Sequence, residues 1–163
     1  MMPSDSERFP MKPIQAEGSL VIDAPASVIY DILSDYRAGH QAILPKQFFA
    51  SLIVEKGGRG AGTEITVGMK ALAGKKTYRM VVTEPEPGRV LVEADEAAGV
   101  VTTFTVDPIP NELHSRVTIQ TVARSSGGIA GVIERWLNPF VMRRIFRQEL
   151  RLLAEAARRA VDS

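Results

Sequence analysis

The sequence contains no cysteine, and this absence removes whole classes of chemistry. Without thiols, the 163-residue chain forms no disulfide, has no cysteine nucleophile and offers no cysteine-based metal site. Histidine is almost as scarce, because the chain has only His40 and His114, which lie far apart in sequence. We therefore expect neither a metal ion nor a cofactor.

A long hydrophobic run and an excess of charge of one sign are also missing. No stretch reaches the roughly 18 apolar residues that a transmembrane helix needs, and the first residues lack the apolar core of a signal peptide. The formal net charge of +1 at pH 7 gives no electrostatic reason to expect nucleic acid as a partner. These absences predict a cytoplasmic protein without a transmembrane segment.

The composition is that of a globular domain, with 45% hydrophobic and 24% charged residues. The chain is long enough to bury a sizeable core. Residues 1–14 contain prolines and charges without any periodicity, which is typical of a mobile tail. We therefore predict one domain over residues 15–163.

Seven segments have the features of β-strands. From Lys46 onward apolar residues recur with a period of two, and glycine-rich or proline-rich turns separate the segments. The predicted strands cover residues 17–23, 46–54, 63–72, 76–84, 89–95, 100–107 and 115–124. Short turns between consecutive strands predict antiparallel pairing.

Helical spacing occurs in two regions. After Pro25 the apolar residues recur with a helical period up to about Asp35, and residues 36–45 form a short irregular or helical connection. Near the C-terminus the apolar face changes direction at Asn138-Pro139, a pair that suits an N-cap and a first helical residue. We predict a short helix that ends near Leu137 and a main helix from residue 139 to about 161.

The order of elements predicts an α+β helix-grip fold. A seven-stranded antiparallel sheet with one hydrophobic face must curl or be covered. The C-terminal helix is the one predicted element long and apolar enough to cover it. The curved sheet should therefore wrap around this helix, with one or two short helices between strands 1 and 2.

Short motifs accompany this order of elements. They are the segment VIDAPASVIY at residues 21–30, Asp35-Tyr36, Leu44-Pro45, Gly62-Thr63 and RVT at residues 116–118. Together they resemble the START/Bet v 1-like (SRPBCC) superfamily over about residues 17–160, and most closely its polyketide cyclase/dehydrase and lipid-transport group. The resemblance implies a cavity between sheet and terminal helix that usually holds a hydrophobic small molecule. Because the superfamily contains both carriers and cyclases, the resemblance leaves the function open.

The alternation along the strands nominates the side chains that would line such a cavity. On the sheet they are Phe48, Leu52, Ile65, Val67, Met69, Tyr78, Met80, Phe104 and Ile119, and on the helical side Trp136, Phe140, Ile145 and Phe146. Large apolar residues with an occasional hydroxyl suit an apolar ligand. The simpler interpretation of each residue taken alone is that it fills a core.

Tyr36, His40 and Tyr78 are the candidates for proton transfer. A tyrosine hydroxyl on a cavity wall can donate to a carbonyl, and histidine exchanges protons near neutral pH. Because His40 follows Gly39 in a connecting segment, a solvent-exposed histidine is the simpler interpretation.

These observations favour binding or transport of a hydrophobic small molecule, such as a lipid, a quinone or a polyketide-like aromatic. A cyclase or dehydratase that uses the cavity tyrosines and histidine is the alternative, and an interaction module that works through a partner protein is a third. A homodimer is compatible with the sequence.

Overall fold

A computed structural model describes residues 12–71, 74–110, 113–124 and 138–163. Within these residues the chain forms seven strands and three helices. The strands are β1 (Ile14–Ile22), β2 (Phe49–Lys56), β3 (Glu64–Ala71), β4 (Gly74–Glu86), β5 (Val90–Asp95), β6 (Val100–Pro108) and β7 (Ser115–Ala123). The helices are α1 (Ala26–Ser34), α2 (Gly39–Ile43) and α3 (Pro139–Asp162).

The strands form one curved antiparallel sheet in the order β1-β7-β6-β5-β4-β3-β2. Strands β2 to β7 are neighbours in chain order because short turns connect them, whereas β1 returns to pair with β7 along its whole length. Helix α3 packs against β1 and against both short helices. The predicted seven-stranded helix-grip fold is therefore confirmed.

Alternation of side chains builds the core between the sheet and α3. Along β7 every second residue is buried, from Ser115 to Ala123. The same period places Tyr78, Met80 and Val82 of β4 on the inner face. Because successive side chains of a strand point to opposite faces, one apolar face is available to meet the helix.

Helix α3 begins where the sequence predicts. The Asn138 side chain accepts a hydrogen bond from the Phe140 backbone N–H at 2.9 Å, and Pro139 occupies the first turn. An N-cap oxygen satisfies one of the amide groups that have no partner within the helix. None of the helices in the described residues is long and apolar enough to span a membrane.

Two sequence predictions concern residues that the structure does not describe. The short helix that ends near Leu137 lies outside the described residues, as does nearly all of the predicted tail. The first strand begins at Ile14, earlier than predicted from the sequence, because its first residues pair with the end of β7.

Gly18 on β1 allows α3 to approach the sheet closely. A Cβ atom at this position would lie 2.9 Å from the Phe146 Cβ, which is closer than side chains pack. The helix backbone next to Phe146 leaves that atom little freedom to move. The absence of a side chain at Gly18 therefore sets the separation between α3 and β1.

We expect Gly18→Val to lower the free energy of unfolding by about 1–3 kcal/mol, because the added side chain overpacks the contact with Phe146. Urea denaturation measures the difference. Ser19→Val is the matched control, since Ser19 is the next residue of the strand and is exposed; its effect should stay within about 0.5 kcal/mol. Equal losses in both variants would contradict the role of Gly18.

Candidate functional site

A cavity lies between the inner face of the sheet and α3. Its volume is about 70 Å³, well below the roughly 300–1,000 Å³ of pockets that enclose drug-sized ligands. The wall is mostly apolar and is built from all the strands except β1, together with α2 and α3; its polar side chains are His40, Tyr78, Glu93, Thr102, Thr121 and Glu149. The space holds several water molecules or a small organic fragment. A larger ligand requires side chains to move.

Most of the residues nominated from the sequence lie on this wall. They are His40, Leu52, Ile65, Val67, Met69, Tyr78, Met80, Phe104, Ile145 and Phe146. Their role in ligand binding stays a prediction. Trp136 lies outside the described residues.

Phe140 and Ile119 are not on the wall. Phe140 is 77% exposed because it precedes Met142 by two positions, about 200° around the helix from the buried stripe. Ile119 is fully buried on β7 and belongs to the hydrophobic core.

Phe49, and not Phe48, lines the cavity from the start of β2. Phe49 pairs with Met69 and Ser51 pairs with Gly68, so Ala50 is an extra residue in the strand. Such a bulge reverses the alternation on one side of it. The period of two that places Leu52 on the wall therefore selects Phe48, and not Phe49, when it is extended back through Ala50. Phe48 is partly buried against the core.

Four buried side chains, Tyr36, His40, Glu93 and Glu149, form what we call the polar cluster. His40, Glu93 and Glu149 line the cavity, whereas Tyr36 lies behind Glu93. The Tyr36 hydroxyl donates to Glu93 Oε1 at 2.7 Å, and His40 Nε2 lies 3.4 Å from the same oxygen. The Tyr36 and His40 rings stack with their centroids 4.6 Å apart. The cluster therefore surrounds the Glu93 carboxylate with donors.

Backbone pairing with the turn before β3 holds Tyr36 in place. The Tyr36 N–H donates to the Gly58 carbonyl, and the Gly60 N–H donates to the Ser34 carbonyl, both at 2.9 Å. Gly58 and Gly60 have φ values of +133° and +59°, which favour glycine. This turn fixes the end of α1, so the Tyr36 hydroxyl reaches across to β5.

Both ring nitrogens of His40 face hydrogen-bond acceptors. Nδ1 lies 2.8 Å from the Leu33 carbonyl oxygen, and Nε2 faces Glu93. Two acceptors therefore hold the imidazole ring in place between α1 and β5. The simpler expectation of a solvent-exposed histidine is wrong, because the side chain is only 2% exposed.

Glu149 places a second carboxyl on the cavity wall. It is 4% exposed, and the described residues provide no hydrogen bond to its carboxyl group. Burial, and then the charge of Glu93, raise the pKa of Glu149 to about 8. At neutral pH the Glu149 carboxyl on the cavity wall is therefore a neutral acid, and Glu93, which accepts a hydrogen bond from Tyr36, lies on the same wall.

Sequence reasoning did not identify Glu93 or Glu149, although both carry a recognisable signal. Leu91, Glu93 and Asp95 alternate on the buried face of β5. Glu149 stands seven residues after Met142 and three after Phe146, which is an inward position of the α3 stripe. A carboxylate at a position where the period calls for an apolar residue is the signal that could have found each of them.

The polar cluster can donate and accept protons and can bind a polar group of a ligand. The burial of Tyr36, with the Glu93 charge, raises the pKa of its phenol far above the ordinary value, so Tyr36 remains a donor. Among the described residues, no group of three or more histidine, aspartate or glutamate side chains is arranged to hold a metal ion.

Comparison with protein families identifies a match over almost the whole chain. Residues 13–160 match the family described as polyketide cyclase/dehydrase and lipid transport. No curated protein matches the sequence. The matched residues include every described strand and nearly all of α3.

Solved structures share the fold. The KanY protein, determined by NMR, aligns with a TM-score of 0.76 and 26% identity over 91% of this chain and 99% of its own. The ZhuI aromatase/cyclase from Streptomyces sp. R1128 aligns with a TM-score of 0.67 and 17% identity over 90% of this chain and 94% of its own. A START superfamily protein from Mycobacterium smegmatis aligns with a TM-score of 0.66 and 10% identity, over 90% and 98% of the two chains.

The buried Glu149 makes stability depend on pH. Its pKa is about 8 in the folded chain, against an ordinary value of 4.5, so between these values the folded protein keeps a proton that the unfolded chain releases. Stability therefore falls as pH rises through this window. Glu149→Gln removes this loss of stability. The free energy of unfolding of the variant minus that of the wild type should therefore rise by on the order of a few kcal/mol from about pH 5 to about pH 9.

Urea denaturation of both proteins at the two pH values measures this gain. Glu155→Gln is the control, since Glu155 lies on the same helix and is exposed. Its difference from wild type should not change with pH. A stability difference between Glu149→Gln and wild type that is the same at both pH values would contradict the neutral state of Glu149.

We expect Tyr36→Phe to lower the free energy of unfolding by about 1–3 kcal/mol, because a buried carboxylate loses a donor. Tyr30→Phe is the matched control: its hydroxyl donates to Glu84 Oε1 at the same 2.7 Å, but Glu84 is only partly buried. Water can replace the donor there, so the loss should be smaller. Equal losses in urea denaturation would argue against a special cost at Glu93.

Proposed function

The chain belongs to the polyketide cyclase/dehydrase and lipid transport family, in the START/Bet v 1-like superfamily that its motifs predicted, and on this premise we propose that it binds a hydrophobic small molecule between the sheet and α3. The observation that supports this proposal is the mostly apolar cavity with a polar cluster on its wall. An apolar pocket with a few convergent polar groups is typical of a binding site for a small organic molecule.

Affinity would come mainly from apolar surface removed from water, at about 25 cal/mol per Å² before the costs of binding are subtracted. Met69, Met80 and Met142 lie on the wall. Methionine side chains are flexible and can repack around ligands of different shape. An apolar ligand larger than the cavity can therefore enter by displacing these side chains.

A cyclase or dehydratase is the second candidate function. The observation in its favour is that Glu149, a neutral acid, and His40, a proton carrier, line the same cavity as the Tyr78 hydroxyl. An acid and a base held on one cavity wall are what proton transfer to and from a carbonyl compound requires. Tyr36 would act through Glu93, to which it donates. The proposed homodimer and the cytoplasmic location rest on the sequence alone.

Native mass spectrometry of the purified protein, followed by denaturing extraction, tests the binding function. We expect a hydrophobic adduct, and titration with the neutral dye N-phenyl-1-naphthylamine should show saturable fluorescence enhancement. Val67→Phe should abolish both signals, because Val67 lies on the cavity wall and the larger side chain fills the space.

Val81→Phe is the matched control, since the same exchange is made at a residue that is 48% exposed. It should retain the adduct and the dye. An empty wild-type protein that also fails to bind the dye would overturn the binding proposal. Turnover of a bound polyketide-like adduct, lost in a Glu149→Gln variant, would instead support the cyclase or dehydratase.

A further inference from the structure

This inference rests on the proposed function and concerns the polar group of the ligand. We propose that the Glu149 carboxyl donates a hydrogen bond to an uncharged oxygen of the ligand, so that the cavity selects compact apolar molecules with a carbonyl or hydroxyl oxygen and rejects carboxylates. Glu149 is thus a specificity-determining residue of the cavity.

The first argument is the environment of the Glu149 carboxyl. It is buried on the cavity wall among apolar side chains such as Met142, Ile145 and Phe146. The described residues offer it no hydrogen bond. Because a buried polar group without a partner costs free energy, a ligand oxygen that accepts its proton removes that cost.

The second argument is the state of the titratable groups that surround it. On β5, Glu93 repels a second negative charge. On α2, both ring nitrogens of His40 are already directed at acceptors, the Leu33 carbonyl and Glu93. Behind Glu93 the Tyr36 hydroxyl is engaged with that carboxylate. These contacts engage both ring nitrogens of His40 and the Tyr36 hydroxyl, so none of these groups is directed at a ligand carboxylate.

The remaining titratable groups on neighbouring elements do not change this balance. Tyr78 on β4 shares the cavity wall, and its phenol is not a cation. Glu17 on β1 and Asp31 on α1 are exposed to solvent. A ligand carboxylate would therefore meet the carboxyl groups of Glu93 and Glu149, whereas a ketone oxygen can accept a hydrogen bond from Glu149.

The selection should depend on pH in one direction. A ligand that accepts a hydrogen bond from Glu149 is held only while the carboxyl keeps its proton. Burial and the Glu93 charge raise the pKa of Glu149 to about 8, so the preference for a carbonyl should persist at neutral pH and disappear in more alkaline solution.

Three probes of matched shape test this selection on the full-length chain: acetophenone, ethylbenzene and benzoate. Protein-observed NMR titration gives the dissociation constants. At about pH 6.5 the wild type should bind acetophenone roughly three- to tenfold more tightly than ethylbenzene, which is the effect of one net hydrogen bond. Benzoate should bind more weakly than both, and the preference for acetophenone should vanish at about pH 9.5.

Two variants separate hydrogen bonding from packing. Glu149→Gln keeps an N–H donor at the same place, so it should retain the preference for acetophenone and lose its dependence on pH. Glu149→Leu should bind both neutral probes without preference at either pH. Glu155→Gln, on the exposed side of α3, should behave as the wild type.

The outcomes distinguish this inference from the proposed function. If the wild type binds ethylbenzene and acetophenone with equal affinity, the selection by Glu149 is overturned, but the proposed hydrophobic binding site is not. Tight binding of benzoate also overturns it. Failure of both neutral probes to bind, together with an empty purified protein, overturns the proposed function and the inference with it.

Discussion

The structure depends on compensating a carboxylate inside an apolar core. Glu93 is buried on β5, and transfer of an isolated charge from water to such a place is far more costly than a protein's net stability. Tyr36 and His40 offset that cost, and both come from the segment between α1 and β2. The need to satisfy Glu93 therefore ties the short helices to the centre of the sheet. It also explains why this segment is ordered by backbone pairing with the glycine turn before β3.

A second constraint acts at the other side of the domain, where α3 meets β1. The contact at Gly18 brings helix and strand together, while the sheet curves away towards β2. The cavity is the space between α3 and the inner face of strands β2 to β7. Its wall is apolar because the same alternation that builds the core continues past the point where α3 touches the sheet. The polar cluster thus lies where packing is incomplete, and there a buried acid can meet a ligand in place of a neighbouring side chain.

Particular residues show where reasoning from the sequence succeeds. Period-two alternation identified Ile65, Val67 and Met69 on the inner face, and the pair Asn138-Pro139 marked the start of α3. It failed at Phe48, because the bulge at Ala50 depends on pairing with β3 and has no local signature. Reasoning from the sequence also failed at Phe140, which was nominated for the cavity wall although it faces away from the buried stripe of α3. The position of His40 after Gly39 favoured a solvent-exposed side chain, because nothing in the local sequence reveals its partner Glu93 on β5.

The sequence by itself determined the number and order of the strands, the limits of the long helix and the family, because periodicity, caps and turns act over a few residues. Only the tertiary structure decided which inward side chains touch each other and which face the cavity. Glu93 on β5 and Glu149 on α3 lie far apart in the sequence. Their interaction and the neutral state of Glu149 arise from burial and from Coulomb forces across the fold. Those forces depend on distance in space, which no local pattern encodes.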